Sequence, residues 1–284
     1  MSLERPEHSE RNGLENRIEL AIAIVWILNA GLGLSMLLLN TFVPIYNAIG
    51  FFFRFALRLG LWTLIVPLLI HLPNGDTDIW PYFESIKLTK IKPAKRNVAI
   101  IIVSLLLLFG GFTLGVIVYG DWVFDLSRVL PPESGMLLEA INPGLFEEII
   151  WRGIILTLLL KKYSLRTSIA INTVLFALAH LVNLLAGQPL IVMLGQLVFV
   201  LIGTPFLALV FVKTNSLIPG IVIHYSIDAF QGLFIYTLIL PGADLVSRGI
   251  FMLLGWFVGN ILAISALMKL AGKDLKEDSS HIVG

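Results

Sequence analysis

The sequence predicts an all-α fold: a polytopic transmembrane bundle of about eight helices, with its functional site in the membrane interior. Of the 284 residues, 57% are hydrophobic and only 14% charged, whereas a soluble domain carries about a quarter charged residues. Mean hydropathy is +0.89. Apolar runs long enough to cross a bilayer, about 20 residues each, recur eight times along the chain. The same composition excludes other classes. A net charge of +1 gives no basic field for nucleic acid. The absence of cysteine removes disulfides, thiolate metal sites and a thiol nucleophile.

The spans are expected at roughly 18–40, 50–72, 97–119, 138–160, 167–186, 189–212, 216–240 and 246–270. Ahead of the first, MSLERPEHSERNGLENR mixes both charge signs, and the apolar run that follows is too long for a signal-peptide core. It therefore reads as a retained transmembrane helix. The second span carries Arg54 and Arg58 in FFFRFALRLG, which either snorkel to an interface or line an internal cavity. Residues 73–96 read as an interfacial amphipathic stretch or as an ordinary basic loop, with Trp80, Tyr82 and Phe83 placed for the headgroup level. Very short turns join the fourth span to the fifth and the sixth to the seventh, which predicts antiparallel hairpins.

Loop charges set the expected orientation, because lysine and arginine in short loops stay on the cytoplasmic side. Lys87, Lys90, Lys92, Lys95 and Arg96 lie between spans two and three; Lys161, Lys162 and Arg166 between four and five. Lys213 follows span six, and Lys269, Lys273 and Lys276 follow span eight. The loop after span three instead carries Asp121, Asp125 and Glu133 against Arg128. Eight spans with both termini cytoplasmic satisfy all of these, in what is expected to be the plasma membrane.

Ionisable groups inside spans cost at least ~2.5 kcal/mol each at a helix centre, so their positions are informative. Span four holds Glu147, Glu148 and Arg152; span five holds Asn172, His180 and Asn183; span seven holds His224, Tyr225, Ser226 and Asp228. At ~1.5 Å per residue, the two histidines, Glu147 and Asp228 fall within a turn or two of one depth. They are placed to converge on a single buried site. Glu148 and Arg152 are four residues apart and share a helix face, as do Phe176 and His180, and His224 and Asp228. Glu147 is turned away from its neighbour by about 100°, so it is the freer carboxylate, suited to proton transfer. Asn172 and Asn183 read as interhelical glue, with cavity lining as the alternative for Asn172.

EEIIWR, FALAH and HYSID, in this order on three spans, resemble the CPBP family of intramembrane proteases. That family includes the type II CAAX prenyl endopeptidases and the bacteriocin-immunity relatives of the Abi group. The resemblance covers about residues 135–242. It implies peptide-bond hydrolysis by a glutamate-activated water, acting on a membrane-embedded or prenylated substrate peptide. Carried onto this chain, it implies Glu147 as general base, with Glu148 and Arg152 holding it and the local charge balance. His180 would position the water or protonate the leaving amine, and His224 with Asp228 would stabilise the oxyanion or support that centre. Phe176 would be a supporting residue. Eukaryotic-type members carry asparagine at the position of Asp228, and many prokaryotic ones aspartate. An ionised Asp228 cannot donate to an oxyanion, so it either stays protonated, orients His224 or binds a metal. The resemblance leaves Zn²⁺ open as a cofactor, with Glu147, His180 and His224 as its ligands.

The expected organisation is a cytoplasmic tail over 1–17 and three helices over 18–134, the 73–96 segment among them. A catalytic core over 135–242 follows, then a last helix with a cytoplasmic tail over 243–284. The partners are the lipid bilayer and a lipidated or membrane-bound peptide, with no nucleic acid. Two other functions compete. Carboxylates and histidines at mid-membrane also build proton-coupled transporters, although no inverted repeat is evident here. A non-catalytic immunity or scaffold protein would keep the fold without the chemistry.

Overall fold

The computed structural model describes residues 18–42, 48–66, 83–84, 86–88, 95–119, 123–124, 137, 140–239 and 245–270. Helix α1 is Ile18–Phe42, and α2 is Ala48–Gly60, continued by a π-helical turn at Leu61–Ile65. Helix α3 is Lys95–Tyr119. Helix α4 is one continuous run built from π-helical Pro143–Glu147 and Ile149–Leu156, followed by α-helical Thr157–Lys162. Then come α5 (Leu165–Ala179), the short α6 (Val182–Leu185), α7 (Leu190–Thr214), α8 (Leu217–Thr237) and α9 (Leu245–Leu270). A two-residue antiparallel bridge, β1 (Val123–Phe124) with β2 (Leu238–Ile239), ties the α3–α4 connection to the end of α8. The architecture is the all-helical bundle the composition predicts.

Among the described residues, five segments are long and apolar enough to cross a membrane: Ile18–Ser35, Lys95–Gly115, Leu165–Leu185, Leu190–Thr214 and Ile250–Leu270. Their outward faces carry large exposed side chains such as Ile27, Leu106, Leu201 and Phe257. In water such a surface would be a liability; in lipid it is the solvent-facing side. The protein is an integral membrane protein. Of the other predicted spans, the seventh is the continuous helix α8, and the second and fourth change winding. Helix α2 gives way to π-helix after 13 residues, with 67–72 outside the described residues, and α4 alternates two windings.

The expected hairpins form. Ser164 caps α5, its Oγ accepting from the Thr167 N–H at 3.4 Å. Asn215 ends α7 in the left-handed region (φ 49°), its N–H donating to the Phe211 carbonyl at 2.8 Å. Helix α1 is fastened to this core by Trp26, whose Nε1–H donates to the Leu175 carbonyl at 3.2 Å. An exposed pair of Lys162 with Glu19 adds a second link and raises the lysine pKa by hydrogen bonding.

Lipid gives helices no hydrophobic drive to associate, so close packing has to supply it. Helices α3 and α9 meet through Gly111 and Gly115 against Gly255 and Gly259. A Cβ at Gly111 would lie 2.5 Å from the Gly255 carbonyl oxygen, and one at Gly255 only 2.3 Å from that of Gly111. Beside them Trp256 stacks on Phe199 with centroids 4.2 Å apart and donates Nε1–H to the Phe199 carbonyl at 3.2 Å. Helix α7 is thereby joined to the pair.

The segment at 83–88 departs from the interfacial reading. Phe83 and Leu88 pack against the core, Ile86 is buried beside Gly153, and the Lys87 carbonyl accepts from the Leu217 N–H at 3.3 Å. Phe83, Ile86 and Leu88 thus turn towards the core instead of a headgroup layer. Trp80 and Tyr82 lie outside the described residues.

Candidate active site

The site begins with the winding of α4. Side-chain donors take two of its carbonyls: Asn172 Nδ2 donates to Trp151 at 2.7 Å, and Thr157 Oγ1 to Arg152 at 3.2 Å. Groups inserted into the backbone ladder favour the wider π winding, which is frequent at functional sites. Asn172 is thus the interhelical glue its sequence position suggests. Gly144 lets α4 approach α8, since a Cβ there would sit 2.8 Å from the Tyr225 backbone. One turn of α8 before His224, Gly220 gives room to the Glu148 carboxylate; its Cβ would lie 2.8 Å from Glu148 Oε2.

Glu148 and Arg152 are both fully buried and form an ion pair, Nη1 to Oε1 at 2.9 Å. The same Oε1 accepts from His224 Nδ1 at 2.8 Å. An ionised carboxylate only accepts, so the Nδ1 proton faces Glu148, and the His224 ring is held with Nε2 towards the other carboxylates. Arg152 also lies over the Phe176 ring, 5.3 Å from its centroid. The charge balance expected of this pair is therefore reinforced by an aromatic face and a histidine.

Glu147 turns the other way, with 30% of its side chain exposed to the cavity. Its Oε2 stands 3.8 Å from His224 Nε2, beyond hydrogen-bond reach. Asp228 Oδ2 stands 3.6 Å from the same nitrogen, on the same face of α8. Neighbouring glutamates on one helix thus have opposite environments, one dry and paired, the other facing open space.

His180 ends α5, whereas the sequence predicts a helix unbroken to 186. Its Nδ1–H donates to the Phe176 carbonyl at 2.8 Å, and its backbone N–H turns tightly to the Ala177 carbonyl at 3.1 Å. The side chain competes for the carbonyl that would continue the helix. With Nδ1 so used, the neutral ring keeps Nε2 as an acceptor. Phe176 packs edge-on against this ring at 4.6 Å and against Trp151 at 5.0 Å.

All four polar residues open onto one cavity of about 750 Å³, lined also by Phe176. Beyond them it continues as an apolar gallery between α7 and α9, past Ile191, Val198, Phe199, Leu253 and Trp256. Sequence reasoning missed this second wall. The α7 and α9 side chains that build it are ordinary apolar residues, and only their convergence makes them a wall. Gln188 and Gln196 on its rim were visible as polar residues flanking an apolar run, but went unweighed.

Among the described residues, no group of three or more His, Cys, Asp or Glu is arranged to hold a metal ion. The trio Glu147, His180 and His224 is accordingly not among such groups.

The class the fold and site define is a helical membrane bundle with carboxylates and histidines gathered around one internal cavity. Residues 132–230 match the family model of the Rce1-like type II CAAX prenyl endopeptidases. At the level of the family, this match supports a CAAX-type intramembrane protease. No curated protein and no solved structure matches the chain.

Proposed function

We propose that the protein hydrolyses a peptide bond of a prenylated or otherwise membrane-anchored substrate, using a water activated by Glu147. The single observation that carries this reading is the split between the two glutamates. Glu148 is neutralised by Arg152 and His224, while Glu147 alone faces the cavity beside two histidines. Glu147 takes a proton from the water, whose oxygen bonds to the scissile carbonyl carbon. His180 Nε2 accepts the other water hydrogen and so aims the lone pair. The imidazolium form of His224, anchored through Nδ1 on Glu148, offers Nε2–H to the oxyanion, and Asp228 holds that ring in place. The carbon–nitrogen bond then breaks as Glu147 returns its proton to the leaving amine. General-base help of this kind contributes about 10²–10⁴-fold. No step needs a metal.

The apolar gallery supports a lipid chain as the anchor, since an isoprenoid buried there leaves water at ~25 cal/mol per Å². Cationic loops support a topology with both termini on the cytoplasmic side, and the plasma membrane is the proposed location. The test is purified protein with a fluorogenic farnesylated CAAX peptide, wild type against Glu147→Ala, with and without chelator. Cleavage that drops at least about 100-fold in the variant and survives chelator is expected. Equal cleavage by both proteins sinks Glu147 as the base. A variant with full function in cells would favour the scaffold reading.

A further inference from the structure

We infer that Gln196 receives the main chain of the substrate peptide, donating from Nε2 to one of its carbonyl or carboxylate oxygens; this rests on the peptidase reading above. An extended peptide at membrane depth brings polar backbone groups that must find partners, because an unpaired one costs several kcal/mol in hydrocarbon. The cavity offers few donors. Its polar lining is two carboxylates, two imidazoles, two glutamines, a hydroxyl and the Trp256 indole, whose N–H is spent on the Phe199 carbonyl, with no lysine or arginine. The carboxylates repel peptide oxygens. Both imidazoles already spend Nδ1 within the protein, on Phe176 and on Glu148.

Gln196, by contrast, is held with its donors unspent. Its Oε1 accepts from Asn183 Nδ2 and from Gln188 Nε2, each at 3.1 Å. Two amide donors on one atom fix the orientation of the Gln196 amide, so both Nε2 hydrogens point away from that cluster. Gln188 and Asn183 are therefore orienting groups, and Gln196 is a substrate-positioning residue on α7. It is half-buried on the cavity wall next to Gly195, where a Cβ would meet nothing within 4 Å.

The experiment uses the full-length protein in nanodiscs with Gln196→Glu and Gln196→Met. Each is assayed on a farnesylated CAAX peptide with a free C-terminus and on its C-terminal carboxamide. Losing one hydrogen bond of about 1.4 kcal/mol predicts a KM raised about 10-fold in both variants with kcat near wild type; Gln196→Glu, which keeps the acceptor for Asn183 and Gln188, also keeps the melting temperature, whereas Gln196→Met lowers it. A further rise confined to Gln196→Glu with the free acid identifies the terminal carboxylate as the acceptor. Equal losses on both peptides identify an internal carbonyl. An active enzyme whose KM is unmoved in both variants, or in which only kcat or melting changes, overturns the inference. Failure of the wild type to cleave would instead overturn the peptidase reading. Peptide binding by fluorescence anisotropy then still decides Gln196, since equal affinities for wild type and Gln196→Met would reject it.

Discussion

Two adjacent glutamates show how environment divides identical side chains into different jobs. Glu148 sits in a dry pocket where its partner charge is within 2.9 Å, so removing it strands the Arg152 guanidinium. Breaking one side of a buried pair destabilises by about 3–5 kcal/mol, whereas replacing both partners with apolar groups is often near neutral. Glu148→Leu is thus expected to lower the melting temperature sharply in detergent, and Glu148→Leu/Arg152→Leu to recover most of it without recovering activity. A double variant as unstable as the single would show that the pair is not the stabilising unit. Glu147→Gln should leave stability unchanged and remove activity, because that group faces the cavity. This division was legible in the sequence, since neighbours on a helix point about 100° apart and Arg152 lies four residues from Glu148. The role of His224 as second partner of Glu148 was not, because it depends on how closely α4 and α8 approach.

At the scale of elements, glycine pairs set those approaches. The motifs GGFTLG and GWFVG on α3 and α9 were in plain view, yet only the antiparallel contact of Gly111 with Gly255 and Gly259 shows which partner each meets. The π winding of α4 and the break at His180 were equally hidden. A periodicity argument assumes a 3.6-residue turn, and both features arise from side chains competing for backbone carbonyls. Gly111→Ala would place a methyl group 2.5 Å from a carbonyl oxygen and 2.7 Å from the Gly259 Cα. Overpacking of this kind costs about 1–3 kcal/mol. Gly110, its neighbour, has nothing within 4 Å of its Cβ position, so Gly110→Ala should be neutral or slightly stabilising. Melting curves of the two variants in the same detergent check the contrast. Equal behaviour would mean that the glycine crossing does not hold α3 against α9.

Over the whole molecule, the arrangement places hydrolytic chemistry at one end of a cavity whose other end is apolar and framed by α7 and α9. Depth counting from the sequence brought Glu147, His180, His224 and Asp228 to one level. It did not reveal the gallery, which is a property of the bundle and of no single helix. If the gallery holds a lipid chain, chain length should be felt there and not at the peptide end. Gly195 lines this space and has room for a side chain, so Gly195→Phe is expected to fold normally while filling part of the gallery. A ring that displaces two or three methylene equivalents removes about 1.6–2.4 kcal/mol of burial at ~0.8 kcal/mol each, or about 15–60-fold in kcat/KM. That loss should be greatest for a geranylgeranylated peptide, smaller for a farnesylated one and slight for the unmodified sequence. Measuring kcat/KM for the three peptides in both proteins gives the answer as a slope against chain length. A uniform loss across all three would place the lipid outside the gallery, against the membrane-facing surface of the bundle.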